Sequence, residues 1–264
     1  MLEGIVEFNM SVYVSHLVSN KDILAIKERY PVGIEIVNFA SALSLDNKEE
    51  ELAVLLKGVG HHLKGKVSVH GPYSDMSPGS PDRKIRRVTM DRFQECYELA
   101  SRVLKAERIV FHSGFMPKLS YDQEWLKYSK EFWKEFLQDK QQDGIKIHIE
   151  NVFEEDYKLL CELVDYIDKP NFSICLDIGH KNACSSLSLE EWIKAMGKRI
   201  GYVHLHNNDG RGDLHNPIEE GTINMPEALK LLKEYSHEAA WCLEVFSKEG
   251  IESSLDYLID CGYL

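Results

Sequence analysis

Short apolar runs alternate with longer amphipathic stretches along the whole chain. The runs fall at residues 5–8, 33–37, 67–70, 108–112, 145–150, 173–177, 201–206 and 241–245. They are four to six residues long and rich in Val, Ile, Phe and Leu, which predicts strands rather than helices. Residues 82–104 place Ile85, Val88, Phe93, Tyr97, Ala100 and Leu104 at near-helical spacing, so a helix is expected there. Ser80, Pro81 and Asp82 supply its start signal. Residues 154–167 predict a further helix, and Ile193, Met196 and Ile200 form an apolar stripe ahead of the seventh run.

A strand-then-helix unit repeated about eight times, at intervals of roughly 30 residues, predicts a parallel sheet with crossover helices. Eight units is the number that closes into a (β/α)8 TIM barrel. The expected fold class is therefore α/β, as one TIM-barrel domain over residues 1–264. An open doubly wound sheet is the alternative, but no G-x-G-x-x-G follows the first run, so a dinucleotide site has no support. No Pro/Ser-rich linker or break in composition divides the chain. Trp125, Phe132, Trp133 and Phe136 crowd one segment. Packing on the barrel is the expected use of that face, and a contact between subunits is the alternative.

Charge and cysteines narrow the class. The formal net charge of -12 disfavours a surface that attracts nucleic acid or anionic membrane throughout. Six scattered cysteines form no C-x-x-C pair, which argues against a disulfide framework and for a reducing compartment. The first residues lack a basic region followed by a long apolar run, and no stretch reaches the roughly 18 apolar residues of a membrane span. The expectation is a cytoplasmic protein that does not enter a membrane.

The ends of the strands carry the candidate chemistry. From the third onward they finish at His70, His112, Glu150, Asp177, His206 and Glu244. His180 follows Asp177 by one turn, and Asp213 and His215 lie in the loop after His206. In a parallel barrel all these ends lie on one rim, where active sites are built. Four carboxylates that close repel one another strongly unless cations sit between them. Mixed imidazole and carboxylate donors suit zinc, manganese, iron(II) or cobalt better than calcium or magnesium. The expected cofactor is zinc or manganese, as one to three ions. Asn151, Asn207, Asn208 and Asp209 are candidates to orient the ligands. A lone histidine at a strand is more often a hydrogen-bonded interior residue. That reading is given to His148 and His204, which share the parity of Glu150 and His206 one layer deeper. His16, His61, His62 and His237 read as solvated.

The segments VHGPY, VFHSG, IHIENV, CLDIGH, HLHNNDGRGDLHNPIEEGTI and CLEVF, in that order, resemble the xylose-isomerase-like TIM barrels. That superfamily includes sugar isomerases and epimerases and the endonuclease IV type of abasic-site nuclease (AP endonuclease family 2). The resemblance covers the chain from about residue 67 onward. Its nuclease pattern implies three metals held by His70, His112, Glu150, Asp177, His180, His206, Asp213, His215 and Glu244. Its isomerase pattern implies one metal held by Glu150, Asp177, His206 and Glu244, with His180 on substrate oxygens. Tyr73, Asn151 and Asp209 are then candidate substrate contacts.

Two chemistries follow. As an isomerase or epimerase of a sugar or sugar phosphate, the enzyme would stabilise an enediolate on its metal while Glu150 and Glu244 move the proton. As a phosphodiesterase acting on DNA at abasic sites, it would use two or three zinc ions. The charge of -12, and the stretches 9–20 and 38–47 without Lys or Arg, oppose the second. So does Glu219, which stands where the family commonly has Gly. Arg83, Lys84, Arg86 and Arg87 could track phosphate, although a solvated helix face is the simpler use. Small-molecule carbohydrate chemistry is the favoured reading, and a metal-binding barrel without catalysis is a third.

Overall fold

In the computed structural model, which describes residues 11–63, 66–140 and 143–264, eight parallel strands close into a barrel in sequence order. They are β1 (Val12–Ser15), β2 (Gly33–Ile36), β3 (Val67–His70), β4 (Arg108–His112), β5 (Lys146–Glu150), β6 (Phe172–Asp177), β7 (Ile200–Leu205) and β8 (Ala240–Leu243). The helices are α1 (Asn20–Arg29), α2 (Ala42–Asp46), α3 (Lys48–Val59), α4 (Arg83–Glu98) and α5 (Asp122–Phe136). Then come α6 (Lys158–Ile167), α7 (Ile178–Cys184), α8 (Leu189–Met196), α9 (Met225–Tyr235) and α10 (Lys248–Asp260). The (β/α)8 TIM barrel expected from the repeat is the fold observed.

Side-chain alternation explains why the strands read as almost continuous apolar runs. One parity of each strand (Val67 and Val69, Ile109 and Phe111, Ile147 and Ile149, Val203 and Leu205) packs outward under the helices. The other parity fills the barrel, where Tyr13, Val110, Cys175, Tyr202, Ala240 and Cys242 form a separate apolar layer. Polar interior residues stand above and below that layer. Register then sets their heights: His112 pairs level with Glu150, and Asp177 with His204. A one-residue shift between Ile174 and Cys175 skips Gly201 and brings Asp177 opposite His204.

Several local readings change. The run at residues 5–8 lies outside the described residues. The strand that pairs β2 and β8 is β1, inside the stretch 9–20 read as a loop. Its Val12-Tyr13-Val14 core is β-branched and aromatic but so short between serines that it reads as a turn. Helix α4 begins as expected and passes into a wider π-type turn over Leu99–Leu104, but it buries Thr89, Phe93, Cys96 and Tyr97 and leaves Ile85 and Val88 exposed. Helix α6 starts at Lys158, because Glu154 instead turns inward, accepting from Ser113 Oγ and from Val152 N at 2.6 Å. His16, read as solvated, is half-buried at the end of β1, and burial lowers its pKa. Trp125, Phe132, Trp133 and Phe136 are buried beneath α5 as packing residues. Among the described residues, no helix is long and apolar enough to cross a membrane.

Candidate metal centre

The C-terminal ends of β3 to β8 bring the predicted acids and imidazoles into one pocket. Glu150 lies at its centre, fully buried. Its Oε2 is 3.3 Å from His70 Nε2 and 3.3 Å from His112 Nε2. Its Oε1 is 3.1 Å from His204 Nδ1 and 3.3 Å from His180 Nδ1. Asp177 Oδ2 and Glu244 Oε2 approach the same His204 nitrogen at 3.7 and 3.4 Å. In the loop after β7, Asp213 Oδ2 meets His180 Nε2 at 3.2 Å and His215 Nε2 at 3.0 Å.

These contacts resolve into groups whose donor atoms lie within 4.8 Å of one another. One is His70, His112 and Glu150; a second is Glu150, Asp177, His204 and Glu244; a third is His180, Asp213 and His215. A fourth, His206, His215 and Glu244, overlaps the third. Two donors each about 2.0–2.2 Å from a tetrahedral zinc stand about 3.4 Å apart, which is the spacing found here. Glu150 Oε2 makes no hydrogen bond although two imidazole nitrogens face it at that distance. A buried carboxylate oxygen left without a hydrogen bond beside two imidazole nitrogens fits a cation there. Cys175 also borders His204 and Glu150, and burial holds its thiol well above the usual range.

The sequence reading put His206 in the ligand set and His204 one layer deeper. The structure also puts His204 among Glu35, Glu150, Asp177 and Glu244, while His206 keeps a place in the group with His215 and Glu244. His204 Nε2 faces Glu35 Oε1 at 3.3 Å, and Glu35 Oε2 accepts from Ser68 Oγ at 2.9 Å. His206 sits further out, with Nε2 at 3.1 Å from Asp177 Oδ1 and its ring stacked on His215 at 4.1 Å. Gly179 makes room for it, because a Cβ there would lie 2.0 Å from the His206 ring. Glu35 was not singled out from sequence, although a lone acid inside GIEI is a signal.

The supporting residues divide. Asn151 fixes Asp177 by a pair of 2.9 Å hydrogen bonds, accepting from its N–H and donating to its carbonyl. Asn207 accepts from Ile223 N and donates to the Ile218 carbonyl, tying down the loop after β7. Asn208 donates to the Gly179 carbonyl from that loop. Tyr73 is 46% exposed and stacks on His112 at 4.7 Å, so it stands at the mouth. Asp209 does not join the site: its carboxylate accepts from Arg211 N and Gly212 N in an exposed turn. Glu219 has no positive φ, so the loop needs no glycine there. His215 does have φ +50, a left-handed backbone that costs energy in a non-glycine residue and clusters at functional sites. Arg87 pairs with Asp91, and Arg86 bonds the Ser80 carbonyl, the pattern of a solvated helix face.

Electrostatics follow from that packing. Burial opposes charge on Glu150 and Asp177, but the surrounding imidazoles outweigh it and hold both carboxyls well below their usual range. Burial likewise opposes protonation of His180, yet Asp177, Asp213 and Glu150 raise it well above 6.5. His215 is raised to about 9 by Asp213 and Glu244 in spite of burial. Burial dominates at two groups: it pushes His112 down to about 3 and raises Glu244. Protons hold this cluster together where cations would otherwise do so, and a metal must displace them.

Comparison with known proteins agrees with the fold. An uncharacterized protein of Methanocaldococcus jannaschii is 33% identical over 188 residues, 68% of this chain and 64% of the relative, so the chain covers less than two thirds of that relative's length. The structure of a D-tagatose 3-epimerase-like protein superposes with a TM-score of 0.79 at 28% identity, covering 95% of this chain and 96% of the other. A protein from Thermus thermophilus, soaked with zinc chloride, gives 0.77 at 22% identity over 95% and 97%. The sequence profile of one family matches residues 32–261, and with the closed barrel this means that the chain belongs to the xylose isomerase-like TIM barrel family.

Proposed function

We propose that the protein is a divalent-metal-dependent sugar isomerase or epimerase, working at the cluster of Glu150, Asp177, His204 and Glu244. One observation carries this reading. Two buried glutamates, from strands three apart around the ring, converge with Asp177 on a single imidazole nitrogen at 3.1–3.7 Å. A bound zinc or manganese ion supplies Lewis-acid stabilisation of the charge that develops on the substrate's oxygens. Glu150 and Glu244 flank a substrate carbon lying over the cluster; one removes the proton beside the carbonyl and the other returns it. His180 and Tyr73 at the lip orient the hydroxyl groups, and Asn151 keeps Asp177 in register. The likeness to a D-tagatose 3-epimerase-like protein supports a carbohydrate substrate.

The test is exchange of solvent deuterium into a panel of ketoses and ketose phosphates, with protein loaded with zinc or manganese. The reading expects exchange at the carbon next to the carbonyl for at least one sugar. It expects that exchange to vanish in Glu150→Gln and Glu244→Gln. Absence of exchange across the panel sinks it.

A second reading, phosphodiester cleavage, is favoured by one further observation: the His70/His112/Glu150 and His180/Asp213/His215 groups give room for three cations. Cleavage of an abasic-site duplex at low salt, with about three zincs per chain, would select it over the first.

A further inference from the structure

Outside the barrel, behind α7, lies a cavity of about 250 Å³ that none of the proposed metal ligands lines. Its walls come from α7, the first turns of α8 and α9, and the end of the loop after β7. Lys181 projects into it and is 6% exposed. A buried ammonium is costly unless something pairs with it. The other buried lysine among the described residues, Lys140, has partners: its ammonium lies 4.2 Å from the Phe136 ring centroid and 5.0 Å from that of Tyr97. The Lys181 ammonium makes no hydrogen bond, close ion pair or ring contact among the described residues, and Glu191 is the acid whose charge reaches it.

The acids nearby are already engaged. Glu191 closes the capping box of α8 with Ser188. Glu190 Oε1 pairs with Lys194 Nζ at 2.6 Å, and Glu227 Oε2 accepts from Asn224 Nδ2 at 2.9 Å. Helices α8 and α9, of 8 and 11 residues, both start at the cavity. The first N–H groups of a helix have no acceptor inside it. In α8 Ser188 caps only that of Glu191, whereas in α9 Asn224 caps Glu227 and Pro226 has none to offer, so the free donors come mainly from α8. Those N–H groups and the helix dipole favour an anion at the same spot as the ammonium. The rest of the wall sets apolar Ile178, Leu189, Ile223 and Leu231 beside polar Thr222 and Asn224 and the engaged carboxylates of Glu190 and Glu227.

We propose that this cavity binds a small organic anion, a carboxylate or phosphate head group on a short apolar body, whose charge pairs with Lys181. The volume lies just under the roughly 300 Å³ at which drug-sized sites begin, so the occupant is metabolite-sized. Binding here touches the metal-bearing loop directly. Asn182 on the cavity wall donates to Asn208 Oδ1 at 2.8 Å and to Thr222 Oγ1 at 2.9 Å, and that loop carries Asp213 and His215. The site is thus suited to an effector rather than a substrate, and it stands whichever reaction the mouth performs.

Calorimetric titration of the zinc-loaded protein with butyrate and, separately, with propyl phosphate tests it. The expected result is one saturable site per chain for at least one head group, and the preferred arm tells carboxylate from phosphate. Lys181→Met should weaken that site at least about tenfold, the scale of one lost charge contact. Ala228→Met, which fills the cavity from α9 and leaves the ammonium intact, should do the same. It decides alone should Lys181→Met not melt cooperatively. No saturable site for either probe, or unchanged affinity in the cavity variants, would each overturn the proposal.

Discussion

Two histidines on either side of the apolar layer inside the barrel, His148 and His204, have the same burial and opposite surroundings. His148, near the base, faces cations: Arg108 Nη1 lies 3.4 Å from its Nε2, and Arg108 and Lys146 add to burial in holding its pKa well below 6.5. An arginine is always charged, so His148 stays neutral and uses its other nitrogen on Ser173 Oγ at 2.8 Å. His204, near the mouth, faces Glu35, Glu150, Asp177 and Glu244. Glu244, Glu150 and Glu35 overcome burial and raise it well above 6.5. Burial alone therefore says nothing about role. The sign of the neighbouring charge makes one imidazole a structural strut and the other a candidate ligand.

The sharpest way to break that comparison is to replace each ring with an amide. His204→Gln should lose most bound metal and at least about 10³-fold of any turnover, since it removes the imidazole at the focus of three acids. His148→Gln should keep metal content and turnover within about threefold while lowering stability by about 1–3 kcal/mol. Elemental analysis and melting curves on both variants decide it. Equal metal loss in the two would erase the distinction between the layers.

A smaller effect tests the partner behind His204. Glu35 holds the far nitrogen of that ring, and carboxylates in this position orient and strengthen imidazole ligands. Glu35→Gln keeps the shape and removes the charge. Metal affinity should fall about 10- to 100-fold, with the fold intact by circular dichroism. An unchanged dissociation constant would leave Glu35 as a packing residue only.

The contrast between layers also marks where the sequence becomes hard to read. The barrel was legible because the outward parity of the strands is apolar without interruption, and the rim because strands ended in His, Asp or Glu. The choice between His204 and His206 was not legible. Both have inward parity, and their heights depend on the shift at Gly201, a cross-strand property that no local spacing encodes. Strand β1 was missed for a related reason: three residues between serines carry too little period to stand out until β2 and β8 pair with them. Asp209 read as a site residue because it follows Asn207 and Asn208, yet its side chain serves the turn.

A weaker effect, from pH, separates protons from cations at the mouth. His215 is raised from 6.5 to about 9 in the metal-free protein, and Asp213 is lowered by the same pairing. A raised histidine contributes stability that is complete below 6.5 and is lost as pH climbs through about 9. A metal needs the neutral ring, so binding expels that proton and strengthens over the same interval. The gain in melting temperature on adding zinc should therefore widen from pH 6.5 to 8.5, by up to about 1.4 kcal/mol per pH unit for one proton. A constant gain would mean that His215 does not exchange a proton for the ion.

The smallest effect is expected at the base, and it closes the comparison from the other side. Ser173→Ala removes the hydroxyl that meets His148 Nδ1 and leaves that nitrogen buried without a partner. One unsatisfied buried group costs about 1–3 kcal/mol, and the space freed next to Gly201 is too small to admit a substitute, since a Cβ on Gly201 already would lie 2.2 Å from Ser173 Oγ. The loss should appear in thermal unfolding with and without zinc by the same amount, because among the described residues no acid bonds to His148 and joins this layer to the metal groups. A loss that disappeared on adding metal would mean that the base and the mouth are energetically joined through His148 and His204, and the division drawn between the two layers would fall.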